Sequence, residues 1–250
     1  MKEFRLERMT YLETEAYSKK GAVVLLPIGP LEAHGPHLPL SVDFLGSEAM
    51  AEMSAERLNA RGTPAVMTPV IPIGISEPSK MFSGTVSMKP ETLKMVISDI
   101  AESFKQHDFK GTVIVNQHGE RNNIETLIKT SAELTDRGIP TIMANPIGKI
   151  MGKIHDMLRG ESPESDFHAG EIETSFCLWK YPELVKTEVM KDLKPCYVKQ
   201  KGGFKDFIEA GGIDCYFGAP ALGNAELGEA IYEVIVEEIV DEVEGWASTL

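Results

Sequence analysis

Residues 21–44 read GAVVLLPIGPLEAHGPHLPLSVDF: an unbroken apolar, β-branched-rich run that turns abruptly into a crowd of polar side chains. The run over 21–29 has no polar alternation, which suits a strand buried on both faces, as in a parallel sheet. After the proline-rich loop, FLGSEAMAEMSAERLNARG spaces its apolar residues as a helix does. The unit is therefore strand, loop, helix.

The same alternation continues along the chain. PAVMTPVIPIG (64–74) reads as a strand, KPETLKMVISDIAESFKQHDF (89–109) as a helix and GTVIVNQ (111–117) as a second buried strand. ERNNIETLIKTSAELTDRG (120–138) follows as a helix stopped by Gly138, and IPTIMANP (139–146) as a strand. A further helix is expected over 170–181, an irregular glycine-bearing stretch over 195–224, and an amphipathic helix, NAELGEAIYEVIVEEIVDEVEGW, over 224–246. Strands alternating with long helices form βαβ units, so the fold class is α/β, with a mainly parallel central sheet covered by helices on both faces. No internal repeat, low-complexity tract or linker divides residues 1–250, and one domain is expected.

The chain's 25 basic and 38 acidic side chains give a formal charge of -13, which repels a phosphate backbone and excludes general nucleic-acid binding. Cys177, Cys196 and Cys215 are odd in number and lack C-x-x-C spacing, so they suggest free thiols in a reducing compartment. The first residues are charged throughout, and no eighteen consecutive apolar residues occur. A cytoplasmic protein without membrane contact is expected.

In open parallel sheets, ligands gather beyond the carboxyl ends of the strands. Two short motifs stand there. Glu32 and His34 lie two apart, hence on one side of an extended segment, and His118 and Glu120 repeat that spacing in reverse order after another strand. Asp43 precedes the next helix, where a plain N-cap competes with a ligand able to bridge. Two carboxylates, two imidazoles and a bridging aspartate compose a cradle for two divalent ions, zinc or manganese, with ferrous iron also compatible with this donor set. Such ions lower the pKa of water and make a bridging hydroxide available at neutral pH. A third cluster, DFHAGEIETS (166–175), places His168 and Glu171 three apart, on one face if both are helical, while Glu173 turns away. His168 could exchange a proton or be a mere capping histidine; Glu171 could orient it or take a proton from water.

LPIGPLEAHGPHLPLSVD resembles the signature of the creatininase (creatinine amidohydrolase) family, and GISEPSKMFSGTVS, NQHGERNN and HAGEIETS resemble its later motifs in the same order. The resemblance spans about residues 20–180. It implies a three-layer α/β/α sandwich, and Glu32, His34, Asp43, His118 and Glu120 as ligands of two metal ions with Asp43 bridging. It also implies Ser76 and His168 at substrate-contacting positions, His168 beside the leaving group, and a homo-oligomer, a hexamer in several members.

This sequence departs from the family at the specificity positions. Gly119 replaces a substrate-contacting tyrosine, Arg121 an asparagine and Ser79 a common histidine, while Glu164 and Ser165 stand where creatinine's tryptophan and aspartate clamp would be. Creatinine is therefore not the expected substrate. Arg121 and Lys80 are candidate contacts for an anionic or hydroxyl-rich small molecule, weighed against ordinary surface ion pairs. The expected activity is a metal-dependent amidohydrolase opening a cyclic amide or cleaving a formamide. The alternatives are a metal-dependent C–C bond hydrolase acting on a keto-inositol, and a catalytically silent binding protein. His37 has no assigned metal and is expected to brace the loop. A serine nucleophile is disfavoured because no G-x-S-x-G elbow appears.

Overall fold

The computed structural model describes residues 3–144, 146–198 and 205–250, so part of the 195–224 stretch and one residue of the 139–146 run lie outside the described residues. Its sheet has four parallel strands, β1 (Val23–Pro27), β2 (Ala65–Met67), β3 (Gly111–Val115) and β4 (Thr141–Ala144), in the order β2-β1-β3-β4. The helices in chain order are α1 (Tyr11–Ser18), α2 (Val42–Arg61), α3 (Pro90–Gln106), α4 (Arg121–Asp136), α5 (Ile147–His155), α6 (Glu171–Lys180), α7 (Thr187–Met190), α8 (Phe207–Ala210) and α9 (Ala225–Ala247).

Strand pleating sorts the core. Val23, Leu25, Val113 and Val115 pack toward α2, α6 and α9, sharing one cluster with Leu58, Phe176, Ile231 and Val240. Leu26, Ile28 and Ile114 point to the opposite face, against Leu93 and Ile97 of α3 and Leu127 and Leu134 of α4. Alternate residues of one strand thus feed two helical layers, as the two-sided burial of an apolar run requires. The result is the expected three-layer α/β sandwich.

The differences from the sequence reading have local causes. The strand expected over 64–74 ends at Met67, because Pro69 and Pro72 have no N–H to continue the ladder. Beyond Met67, Thr68 and Ile71 still reach β1, their N–H groups donating to Leu25 and Pro27. Helix α1 was not anticipated, although Thr10 and Glu13 form a reciprocal capping box. Helix α5 was missed as well; its glycines at 148 and 152 depress helix propensity, and burial of Ile150 and Ile154 on one face outweighs them. Among the described residues, no helix is long and apolar enough to cross a membrane.

One register fact positions the site. β1 and β3 are neighbours, with Pro27 opposite Val115. The loops that follow them, carrying Glu32 and His34 on one side and His118 on the other, therefore leave the sheet side by side.

Candidate metal centre

Glycine at position 29 lets the third contributor approach. A Cβ there would lie 2.8 Å from the backbone carbon and oxygen of Asp43 and from the nitrogen of Phe44, so only a bare backbone admits the first turn of α2. Ser47, one turn further on, lies 2.8 Å from the carbonyl oxygens of both Ile28 and Asp43 and accepts the N–H of Gln117. Three segments are thereby stapled around Asp43. Asp43 is not the N-cap of α2; that position is Ser41, and its side chain makes no capping hydrogen bond.

The ring orientations follow from their outer hydrogen bonds. His118 Nε2 is 2.8 Å from the Ile75 carbonyl oxygen, which can only accept, so the proton sits on Nε2. The other ring nitrogen, Nδ1, faces Glu32 Oε2 at 3.0 Å and Asp43 Oδ2 at 3.3 Å. His34 is oriented in the opposite sense: Nδ1 donates to the Glu32 carbonyl oxygen at 3.0 Å, and Nε2 faces Asp43 Oδ2 and Glu173 Oε2, each at 3.6 Å. The carboxylates are fixed too. Ser79 donates to Glu32 Oε1 at 2.5 Å, and the Ala169 N–H donates to Glu173 Oε2 at 2.5 Å.

Three buried polar atoms then converge without a hydrogen-bond partner: Glu32 Oε2, His34 Nε2 and Asp43 Oδ2. Orphaned buried polar atoms are costly unless something binds them. Ligands held at about 2.0–2.1 Å around one tetrahedral ion stand about 3.3 Å apart, close to the separations here. Two of the groups able to hold an ion, Glu32–Asp43–His118 and His34–Asp43–Glu173, share Asp43. A third, Glu32–His34–His168, lies within the same cluster. The oxygen and imidazole donors fit zinc, manganese or iron in either main group.

Charge in the cluster is mutually enforced. Burial pushes His34 toward neutrality, yet Asp43 and Glu173 outweigh it and hold the imidazolium up to about pKa 10. His118 is likewise driven up, against burial, by Glu32 and Asp43. Burial pushes Asp43 up to about 6, while Glu173, despite burial, is drawn down to about 2 by His34. His168 moves the other way: burial and the nearby His34 lower it to about 4.

The expected site residues separate into two groups. Glu32, His34, Asp43, His118 and His168 come together, with the His168 ring centred 4.3 Å from that of His34 and its Nε2 donating to the Ala33 carbonyl oxygen at 2.8 Å. Ser76 joins them, its buried hydroxyl 3.4 Å from His118 Nε2. Glu120, Glu171 and Arg121 do not. Glu120 is the N-cap of α4 and spends its carboxylate on the Asn123 N–H at 2.6 Å, so it belongs to none of the three groups. Glu171 is fully buried but turned onto the loop at 159–160, accepting from the backbone of Arg159 and Gly160 at 3.0 Å each. It orients that loop, not His168. Arg121 is 88% exposed and donates to Glu125, one turn along α4, and Lys80 pairs with Glu77; both are surface ion pairs.

Glu173 reverses its expected direction. The spacing counted from His168 extended helical geometry back past the start expected at 170, but Ala169 has φ 49° and α6 begins only at Glu171. Glu173 is then a first-turn residue whose carboxylate folds back over the helix entrance toward His34. Gly170, a helix-start signal, was the clue that could have shifted the count. Glu173→Gln is expected to weaken ion binding at the candidate His34–Asp43–Glu173 group by about 100-fold or more, since even outer-shell changes cost about 10–100-fold. Glu120→Gln is expected to leave ion binding unchanged. Metal titration of the two variants decides this, and the opposite pattern would return the ligand role to Glu120.

Residues 7–243 match the family described as creatininase, creatinine amidohydrolase. The chain is 28% identical over 230 residues to the mycofactocin precursor peptide peptidase of Mycolicibacterium smegmatis, covering 90% of this chain and 85% of that protein. It is 27% identical to the creatinine amidohydrolase of Pseudomonas putida, covering 94% of both. The 3-dehydro-scyllo-inosose hydrolase of Thermotoga maritima is 26% identical, with 83% of this chain and 63% of that protein covered. Solved creatininases superimpose on the fold: a manganese form and a zinc–zinc glutamate-to-glutamine variant each give a TM-score of 0.78 at 24% identity, over 98% of both chains.

Proposed function

The chain belongs to the creatininase family, and from that premise we propose a hydrolase that uses two divalent ions to cleave an amide bond. The observation that carries this reading is the convergence of Glu32 Oε2, His34 Nε2 and Asp43 Oδ2, buried and unpartnered, at ligand separations. Bound there, zinc or manganese ions would supply a water of lowered pKa and Lewis-acid polarisation of a carbonyl. Glu32, Asp43 and His118 would hold one ion; His34, Asp43 and Glu173 the other.

The protein's own groups do the rest. His168 keeps its Nε2 proton on Ala33, so Nδ1 is the nitrogen that takes up a proton and passes it to the departing amine. Its lowered pKa keeps it neutral, hence able to accept, at neutral pH. Ser76, whose hydroxyl lies 3.4 Å from His118 Nε2, is assigned to substrate contact in this reading.

Creatinine itself does not fit this reading. Glu164 is exposed and Ser165 faces Ser162 at 3.2 Å, so neither walls a small ring. The side of His168 is aromatic instead: Phe207 packs 4.6 Å from its ring, and Phe217 lies behind Phe207 at 5.4 Å. That supports an amide with an apolar portion, such as a peptide or cyclic amide. The keto-inositol alternative drew on Arg121, whose guanidinium is engaged by Glu125. A homo-oligomer remains part of the proposal, to be read by sedimentation.

The test is protein purified without chelator, its ions counted, and assayed on creatinine, formamides, lactams, short apolar peptides and keto-inositols. Ion-dependent release of an amine from one of the amides is expected. Fewer than about one ion per chain, not restored by zinc or manganese, would sink the proposal. Cleavage of a keto-inositol alone would overturn the amide assignment.

A further inference from the structure

His37 is a fully buried histidine outside the ligand set, and its surroundings give it a task. Its Nε2 lies 2.8 Å from Thr174 Oγ1 on α6, and its Nδ1 is buried without a partner. An unbonded buried N–H is rarer and costlier than a bare lone pair, so the proton sits on Nε2 and His37 donates to Thr174. Two further features hold the histidine in place. Its carbonyl oxygen accepts the N–H of Lys186 at 2.8 Å. Gly35, at φ +66°, makes the turn between His34 and His37, where a Cβ would come within 2.9 Å of His37 Nδ1.

Thr174 directly follows Glu173, and His37 follows His34 by a single tight turn. The bond therefore joins the two segments that carry His34 and Glu173, the ligands used by only one of the two ions. The other ion's own ligands are fixed elsewhere, Glu32 by Ser79 and His118 by the Ile75 carbonyl oxygen. We infer that His37 is a positioning residue: through Thr174 it sets the spacing of His34 and Glu173 and so the affinity of that second ion alone. This rests on the two-ion reading above.

The test is titration of chelator-stripped protein with zinc, in competition with a chromophoric chelator, which resolves the two affinities. Thr174→Val keeps the side chain's shape and removes the hydroxyl. It is expected to weaken the second ion about 10–100-fold, the usual effect of losing an outer-shell bond, and to leave the first unchanged. Thr174→Ser, which restores a hydroxyl, and His37→Gln, whose amide nitrogen replaces Nε2, are expected to bring the second affinity back. Wild-type protein that takes up two ions alongside a Thr174→Val variant with unaltered affinities overturns the inference alone, as does equal weakening of both ions. Wild-type protein that takes up one ion or none overturns the two-ion reading, and the inference with it.

Discussion

Asp43→Asn is expected to release both ions in a single substitution. The Oδ2 atom of Asp43 faces His118 Nδ1 at 3.3 Å and His34 Nε2 at 3.6 Å, so both candidate groups depend on it. Asparagine preserves the shape but brings no charge to offset two dications. If the ions together contribute several kcal/mol to the transition state, kcat/KM should fall about 10³-fold or more. Elemental analysis and steady-state kinetics on the same preparation check this. Retention of one ion at wild-type affinity would show that the carboxylate is not shared.

The same cluster predicts a proton count. With carboxylates raising His34 to about 10 and His118 well above its ordinary value, both rings carry a proton at pH 7 before an ion enters. A ligand imidazole must be neutral, so loading expels those protons, about two per chain. Ion affinity therefore rises with pH until the imidazolium groups have lost their protons, near pH 10 for His34. Calorimetry in buffers of different ionisation enthalpy reads the count directly.

His168→Gln is the second large effect, and it has the opposite signature. The ions are expected to stay, because Glu32, Asp43 and His118 on one side and His34, Asp43 and Glu173 on the other do not include it. The proton acceptor at Nδ1 disappears, and general acid–base catalysis of this kind is worth about 10²–10⁴-fold in kcat. Unchanged ion content with kcat reduced in that range supports the proton role. Loss of an ion would instead make His168 a ligand, through the group it forms with Glu32 and His34.

Much of this site was legible in the one-dimensional pattern, and the reasons are specific. Glu32, His34 and His118 follow buried apolar runs closely, and neighbouring parallel strands bring such loops together whatever the details of packing. Asp43 was legible as a carboxylate beside the entrance of the next helix, although α2 begins at Val42 and takes it into the first turn. Glu173 and Glu120 were not separable, because the direction of a carboxylate near a helix entrance depends on the residue at which the helix begins. That is set here by the positive φ of Ala169 and by Gly170, not by side-chain periodicity. Arg121 stands apart from the cluster for another reason: an exposed guanidinium takes the nearest carboxylate, and Glu125 stands one turn away. The anchors Ser79 and Thr174 were invisible because their partners lie far off in sequence.

Tyr232 of α9 donates its phenolic hydrogen to Gln117, next to His118, and stacks on Phe176 of α6, the helix that begins with the Glu173 turn. In sequence α9 comes after every one of the proposed ligands. The donor atoms all lie outside α9, yet α9 supplies the clamp that draws the β3 loop and α6 together. The relative placing of the two segments that carry His118 and Glu173 thus leans on a helix that neither segment adjoins in sequence.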